Sequence, residues 1–278
     1  MTAPTEPTRA TRRVALGVSY VGTSYKGWQS QPGGGTVQDA LEHALAQFAV
    51  QPLKVVCAGR TDARVHGINQ VVHLDTTLAR EPFSWVRGTN AFLPPDIAVQ
   101  WARELDGGFH ARNSATGRRY AYVLLEAPVR PALEAHRVGW VFRSLNLDAM
   151  QQASAHLIGV HDFSSFRSSM CQSPTPVKHL RHIGISRVCR AGQATAYWRF
   201  DFEGQAFLHH MIRNIMGCLV AVGSGTHTPE WVRLVLEARD RSVAAPTFSP
   251  DGLYFLGPTY AERWALPEHV PAMDWLPA

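Results

Sequence analysis

Short alternating segments separated by helical ones constrain the fold of this chain more than any other feature. Val14 to Tyr20 alternates apolar residues with small or polar ones, as a half-buried strand does. A capping-box pattern at Thr36 to Asp39 then predicts the start of a helix. Further strands are predicted at 53–57, 70–75 and 97–104, and a second helix at 83–92. The first part of the chain therefore has the order β-α-β-β-α-β.

Gly107-Gly108 interrupts this pattern, and a similar order follows. Strands are predicted at 120–125, 182–188, 197–202 and 253–256, and helices at 148–157, 206–222 and 231–238. The sequence therefore predicts an α+β protein in which two ferredoxin-like halves, 14–110 and 111–278, form a mainly antiparallel sheet with a central cleft. Residues 1–13 are rich in Thr, Pro and Arg and are predicted to be a disordered tail.

The composition excludes some classes of protein and permits others. The four cysteines have no metal-like or paired spacing, which favours reduced thiols in a cytoplasmic protein without a structural metal. No apolar run reaches the roughly 20 residues that a membrane span needs. The 27 Lys and Arg exceed the 22 Asp and Glu, and most of the basic residues are Arg, which permits a polyanionic partner.

The segment Cys57 to Gly67 concentrates the residues that could carry chemistry. A strand ends at its start, a glycine opens a turn, and Arg60, Asp62 and His66 follow on one loop. Loops held by a rigid sheet commonly carry catalytic groups. Taken alone, Asp62 could equally cap its own turn while Arg60 is solvated.

This loop, Gly-Arg-Thr-Asp-Ala-Arg-Val-His, resembles the signature of the TruA family of tRNA pseudouridine synthases. Similar pieces follow one another in the family's order from about Val14 to Tyr260. They are Tyr20, Gly22, Tyr25, Gly27, Trp28 and Gln29, then Phe109–Arg112, Arg118–Tyr120, Gly159–Phe166, Met211–Asn214 and Gly252–Tyr254.

Arg64 is a departure from this pattern, since the family has glycine there. A positive φ at this position would strain the loop by roughly 1 kcal/mol or more. With an ordinary φ, Arg64 would be one more cation near the RNA.

The resemblance implies a role for each matching residue. Asp62 falls on the family's nucleophile, and Arg213 would be the ion partner of its carboxylate. Tyr120 would stack on a uracil flipped out of the RNA, and Leu253 would form part of the pocket wall, although both could instead pack in the core. Contacts with RNA are expected from Arg60, Arg64, His66, Arg112, Arg118, Arg119 and Arg167.

The same resemblance implies the reaction and the partners. The expected enzyme is an isomerase that converts up to three adjacent uridines to pseudouridine on the 3′ side of the tRNA anticodon stem-loop. It would need no cofactor and no metal, and it would work as a homodimer.

Two other functions compete with this expectation. A catalytically silent tRNA-binding protein could share the fold if Arg64 has disabled the loop. A metal-dependent hydrolase could use the histidines, of which His209-His210 are adjacent. On the helix predicted for this segment, adjacent side chains diverge by about 100°, so the pair is not predicted to converge on one ion.

Overall fold

One mixed sheet runs through both halves of the chain in the computed structural model, which describes residues 10–189 and 195–267. Within those ranges the strand order is β4-β1-β3-β10-β5-β9-β8-β7, with β2 paired to β3 and β6 to β5. The strands are β1 (Arg12–Tyr20), β2 (Val56–Cys57), β3 (His66–Thr76), β4 (Ile97–Leu105), β5 (Ala115–Glu126), β6 (Gly139–Val141), β7 (Gly159–Asp162), β8 (Val177–Cys189), β9 (Ala196–Gly204) and β10 (Leu253–Tyr260).

Neighbouring strands are antiparallel except for two pairs, β3 with β10 and β5 with β6. The parallel β3–β10 pair joins the two halves through only two residue pairs, Tyr254 with His66 and Phe255 with Gly67. The predicted mixed α+β fold with a mainly antiparallel sheet is confirmed.

Five α-helices in the described ranges cover this sheet. They are α1 (Val37–Ala49), α2 (Pro82–Asn90), α3 (Leu147–Ala155), α4 (Met211–Gly223) and α5 (Pro229–Ala238). The capping box predicted at the start of α1 is present, with Thr36 and Asp39 bonded reciprocally. The main core of the second half packs α3, α4 and α5 against β5, β9 and β10, while α1 and α2 pack on β1, β3 and β4. None of these described helices is long and apolar enough to cross a membrane.

Most predicted elements are present with shifted ends, and the differences at β1 and at α4 matter most for the site. Strand β1 begins at Arg12, so Arg12 and Arg13 are not part of a tail; Arg13 binds Asp75 and the carbonyls of Gly107 and Phe109. Residues 1–9 of the predicted tail lie outside the described residues.

The helix predicted at 206–222 starts only at Met211, because His210 has a left-handed φ of 63° that the helix cannot include. Strands β6 and β7 were not predicted from the sequence, and β2 is shorter than expected. The late start of α4 changes the geometry of the site described below.

Candidate active site

The loop between β2 and β3, residues 58–65, is fixed against the segment that follows β1. Trp28 N–H donates to the carbonyl of Thr61 at 3.0 Å, and Arg64 N–H donates to the carbonyl of Tyr25 at 3.2 Å. The Tyr20 and Thr61 hydroxyls are 2.8 Å apart in the core. These bonds hold the backbone on both sides of Asp62, so they fix the position from which its carboxylate extends.

Glycine is required where the two segments touch. A Cβ on Gly22 would lie 2.0 Å from the carbonyl oxygen of Val65, and one on Gly27 would lie 2.7 Å from that of Thr61. Gly27 also has φ of 93°. The glycines after β1 therefore allow the backbone to approach the Asp62 loop closely.

Arg64 also adopts a left-handed conformation, with φ of 70°. Its guanidinium forms an ion pair with Asp251 at 3.0 Å and contacts His136 Nδ1. Arg64 thus retains the conformation that favours glycine, and its side chain ties the loop to the segment before β10.

Asp62 meets residues from the second half of the chain. Arg213, on the first turn of α4, places Nη1 3.3 Å from Asp62 Oδ2, and its Nε donates to the carbonyl of Phe248 at 2.9 Å. The side chains of Asp62 and Arg213 are 17% and 14% exposed. The guanidinium therefore stabilises the charge of a carboxylate that retains one face toward solvent.

Two histidines complete the surroundings of this carboxylate. His209 Nε2 lies 3.3 Å from Asp62 Oδ1, and His210 Nε2 lies 3.6 Å from Oδ2. Burial lowers the pKa of His210, and the Asp62 charge opposes that shift. The expectation that this pair diverges was wrong, because it rested on a helix that begins only after His210.

The four side chains open into a cleft of about 900 Å³. Tyr120, from β5, and Leu253, at the start of β10, lie in its wall. Tyr120 packs between Phe207 and Phe255, with ring centroids 5.2 and 4.9 Å away. Burial, with a contribution from the Asp62 charge, raises the pKa of the Tyr120 hydroxyl, so that this hydroxyl stays protonated at neutral pH.

Three of the predicted RNA contacts also line this cleft: Arg60, Arg112 and Arg118. Arg60 and Arg112 are exposed, whereas Arg118 is half-buried and donates to the carbonyls of Ala58, Arg112 and Gln205. Burial lowers the pKa of Arg118. The cleft therefore combines one carboxylate with a cationic rim and an aromatic wall, a composition that suits an anionic ligand with a flat base.

Comparisons with known proteins agree with this arrangement. The model of a family described as tRNA pseudouridine synthase matches residues 17–112 and 153–261. The chain belongs to the tRNA pseudouridine synthase family. It is 65% identical over 277 residues to the tRNA pseudouridine synthase A of Paracidovorax citrulli, and 66% over 265 residues to that of Methylibium petroleiphilum. Each alignment covers 95% of this chain and 100% of the relative.

These matches confirm the predicted TruA resemblance and the prediction that the chain is an isomerase of this family. Among solved structures, a Galdieria sulphuraria protein of unknown function covers 78% of this chain and 94% of its own, at 12% identity and a TM-score of 0.21. A likeness that weak carries no argument about the fold.

Four residues expected to contact RNA lie elsewhere in this synthase. His66 is 2% exposed; its Nδ1 accepts from Gly22 N–H, and its Nε2 lies 2.9 and 3.1 Å from the carbonyls of His136 and Asp251. It therefore fastens the loop internally, and the predicted RNA contact is corrected to a structural role. Arg64 is directed to Asp251 and does not line the cleft.

The other two are Arg119 and Arg167. Strand alternation directs Arg119 to the sheet face opposite Arg118 and Tyr120. Arg167 donates to the carbonyls of Cys171 and Ser173 and so holds the segment that lines one side of the cleft. Neither side chain is part of the cleft lining.

Sequence reasoning missed His209 and His210 as neighbours of Asp62. The local sequence has no signal for a left-handed residue at His210, since the run from Ala206 onward is mostly apolar and favours a helix. Lys26 and Phe207, which also line the cleft of this synthase, were missed too. In the sequence, Lys26 lies between two residues of the matched motif, Tyr25 and Gly27, and this position was the signal that could have identified it.

Proposed function

We propose that this synthase converts uridine to pseudouridine in the anticodon stem-loop of tRNA, with Asp62 as the nucleophile. The observation that carries the proposal is the Asp62–Arg213 pair, at 3.3 Å, open to a cleft with a cationic rim. The relatives' names and the signature loop support tRNA as the substrate class.

The reaction breaks the bond from uracil N1 to the ribose C1′ carbon and forms a bond from C5 to C1′. The base gains a proton at N1 and loses one at C5, so atoms and electrons balance without an oxidant or reductant. A carboxylate suits the role of nucleophile, whether it attacks the sugar or the base, because it is charged at neutral pH. Arg213 would orient the Asp62 carboxylate through its Nη1 contact, since the guanidinium is itself anchored through Nε on the carbonyl of Phe248.

Tyr120 would hold the target base. Its ring packs edge-on against Phe207, and its hydroxyl makes no hydrogen bond within the described ranges. A base flipped out of the RNA stack could therefore contact the ring and receive a hydrogen bond from this protonated hydroxyl. Leu253 would close the apolar side of the pocket.

Arg60, Arg112 and Arg118 would bind the RNA around the flipped nucleotide. Flipping costs a few kcal/mol, which contacts with the phosphates and the vacated stack must offset. Arg60 is exposed and lies two residues before Asp62 in the chain. Its guanidinium makes a weak contact of 3.5 Å with Gln172, which RNA could replace. Guanidinium groups suit both phosphate binding and stacking.

We further propose that each half, 14–110 and 111–278, is ferredoxin-like. The strand orders β4-β1-β3-β2 and β10-β5-β9-β8 support this proposal. In each, the four main strands of a β-α-β-β-α-β unit lie in the order fourth, first, third and second. A homodimer is proposed from the family resemblance, and light scattering coupled to size-exclusion chromatography tests it.

The test compares wild type with Asp62→Asn on an unmodified tRNA transcript that carries tritium at C5 of uridine, without added metal. Because C5 loses its hydrogen, turnover releases tritium to water. Wild type should release it, and Asp62→Asn should bind the transcript equally well and release none. Tritium release by a correctly folded Asp62→Asn protein would refute the nucleophile.

A silent tRNA-binding protein is the second candidate, and the φ of 70° at Arg64 favours it because the signature glycine is lost there. If wild type binds the transcript without releasing tritium, and Arg64→Gly does release it, this second candidate is correct. Equal release by the two proteins rejects it.

A further inference from the structure

A cluster of potential metal ligands surrounds the Asp62 carboxylate. One atom each from Asp62, His209 and His210 lies within 4.8 Å of the others. The carboxylate-to-imidazole distances are 3.3 Å to His209 Nε2 and 3.6 Å to His210 Nε2. Two imidazole nitrogens and a carboxylate therefore face one small volume.

The two carboxylate-to-imidazole distances are close to the edge length of a tetrahedral site. With metal–ligand bonds of roughly 2.1 Å, two ligands of a tetrahedron lie about 3.4 Å apart. The two imidazole nitrogens lie within 4.8 Å of each other, so rotation of the two side chains would bring them to the separation that a cation requires. The side chains of His209 and His210 are 37% and 28% exposed, so solvent can deliver an ion and supply the fourth ligand.

The ligand set selects a class of ion. Imidazole nitrogens suit Zn²⁺, Ni²⁺ and Cu²⁺, whereas Mg²⁺ and Ca²⁺ prefer oxygen ligands. Three protein ligands with an open position are also the usual coordination of Zn²⁺ at accessible sites.

Arg213 would compete with such an ion for the Asp62 carboxylate, so metal binding would change the contacts of the proposed nucleophile. Nη1 of Arg213 lies on Asp62 Oδ2, the oxygen that also pairs with His210 Nε2, so a metal ion that binds this oxygen competes with the guanidinium, and two cations on one carboxylate repel each other. The guanidinium keeps its bond to the Phe248 carbonyl through Nε, so Nη1 can leave Asp62 while the side chain stays anchored.

We propose that Asp62, His209 and His210 bind a transition-metal dication of the Zn²⁺ class, which displaces Arg213 from the carboxylate and reversibly inhibits the synthase. The inhibition rests on the proposed role of Asp62, whereas the metal binding does not.

The first measurement is Zn²⁺ binding by calorimetry, using wild type, His209→Gln, His210→Gln and the control His43→Gln. His43 is exposed on α1, away from the cluster. Wild type and the control should bind one Zn²⁺ at this site, and each cluster variant should bind it more weakly by at least roughly tenfold. Unchanged affinity in both cluster variants would overturn the proposal.

The second measurement adds Zn²⁺ to the tritium-release assay. Wild type and His43→Gln should lose activity with the dependence on Zn²⁺ seen in calorimetry and regain it with a chelator. Full activity of wild type with the site occupied would overturn the inhibition. If wild type never releases tritium but the cluster variants lose Zn²⁺ affinity, the proposed function fails and the metal site stands.

Misfolding of a cluster variant is controlled by a measurement on wild type alone. Zinc should shift the imidazole nuclear magnetic resonance signals of two histidines in a one-to-one titration. Uniformly unchanged imidazole signals at saturating Zn²⁺ would exclude histidine ligation and overturn the proposal without any variant.

Discussion

Arg64 carries two opposing contributions to stability that substitution can separate. Its φ of 70° costs about 1 kcal/mol relative to glycine, because a Cβ crowds the backbone in the left-handed region. Against this, the guanidinium pairs with Asp251 at 3.0 Å, with side-chain exposures of 42% and 20%. A pair that accessible to solvent contributes about 0.5–1 kcal/mol.

The alanine and glycine variants therefore differ in a defined direction. Arg64→Ala loses the ion pair and keeps the conformational cost, so its free energy of unfolding should fall by about 0.5–1 kcal/mol. Arg64→Gly loses the pair and relieves the cost, so it should stay near the wild-type value. The glycine variant should exceed the alanine variant by about 1 kcal/mol, or roughly 2–4 °C in Tm.

Urea denaturation of the three proteins at pH 7 measures these differences. An Asp251→Asn variant serves as the control for the ion pair and should lose about as much stability as Arg64→Ala. Equal stability of the alanine and glycine variants would refute the left-handed conformation at Arg64, and a strongly destabilised glycine variant would show that the pair with Asp251 is worth more than an exposed ion pair.

Three further predictions test other parts of the structure. Gly27→Ala should lower the free energy of unfolding by about 2–3 kcal/mol, because its Cβ would lie 2.7 Å from the carbonyl oxygen of Thr61 and the backbone would be strained. The control Gly225→Ala has a similar φ of 76° but open space around it, so it should cost about 1 kcal/mol in the same urea denaturation. Thr36→Ala removes the capping box of α1 and should cost about 1 kcal/mol in urea denaturation. Burial lowers the pKa of His73 from 6.5 to about 4. The neutral imidazole therefore contributes fully to the free energy of unfolding above about pH 6.5, and this contribution is lost as the pH falls toward 4. Between pH 7 and pH 5, the free energy of unfolding of wild type should therefore fall by about 2 kcal/mol more than that of His73→Asn in urea denaturation. Equal losses in the two proteins would refute the lowered pKa of His73.

Local patterns predicted the parts of this fold that local chemistry determines. The alternation of Val14 to Tyr20 and the capping box at Thr36 were sufficient to identify β1 and α1. The position of Asp62 on a loop after a strand also followed from the sequence. The same alternation, applied to β5, separates Arg119 from Tyr120 and could have removed Arg119 from the expected RNA contacts.

Other features depend on contacts between distant residues. His66 is buried because the carbonyls of His136 and Asp251 approach it, and nothing near His66 in the sequence indicates those partners. The left-handed conformation of His210 places both histidines beside Asp62, and an apolar run that favours a helix conceals it. Strand β6 has three residues and exists through its pairing with β5.

The position of β10 has a consequence for how the protein is synthesised. This strand is the last in the described chain, yet it lies in the middle of the sheet, between β3 and β5. Until β10 emerges from the ribosome, the stretches of β3 and β5 that pair with it present unpaired edges, which can pair with other chains. Because β10 is the strand through which the sheet joins the half that carries Asp62 to the half that carries Arg213, this junction forms only at the end of synthesis.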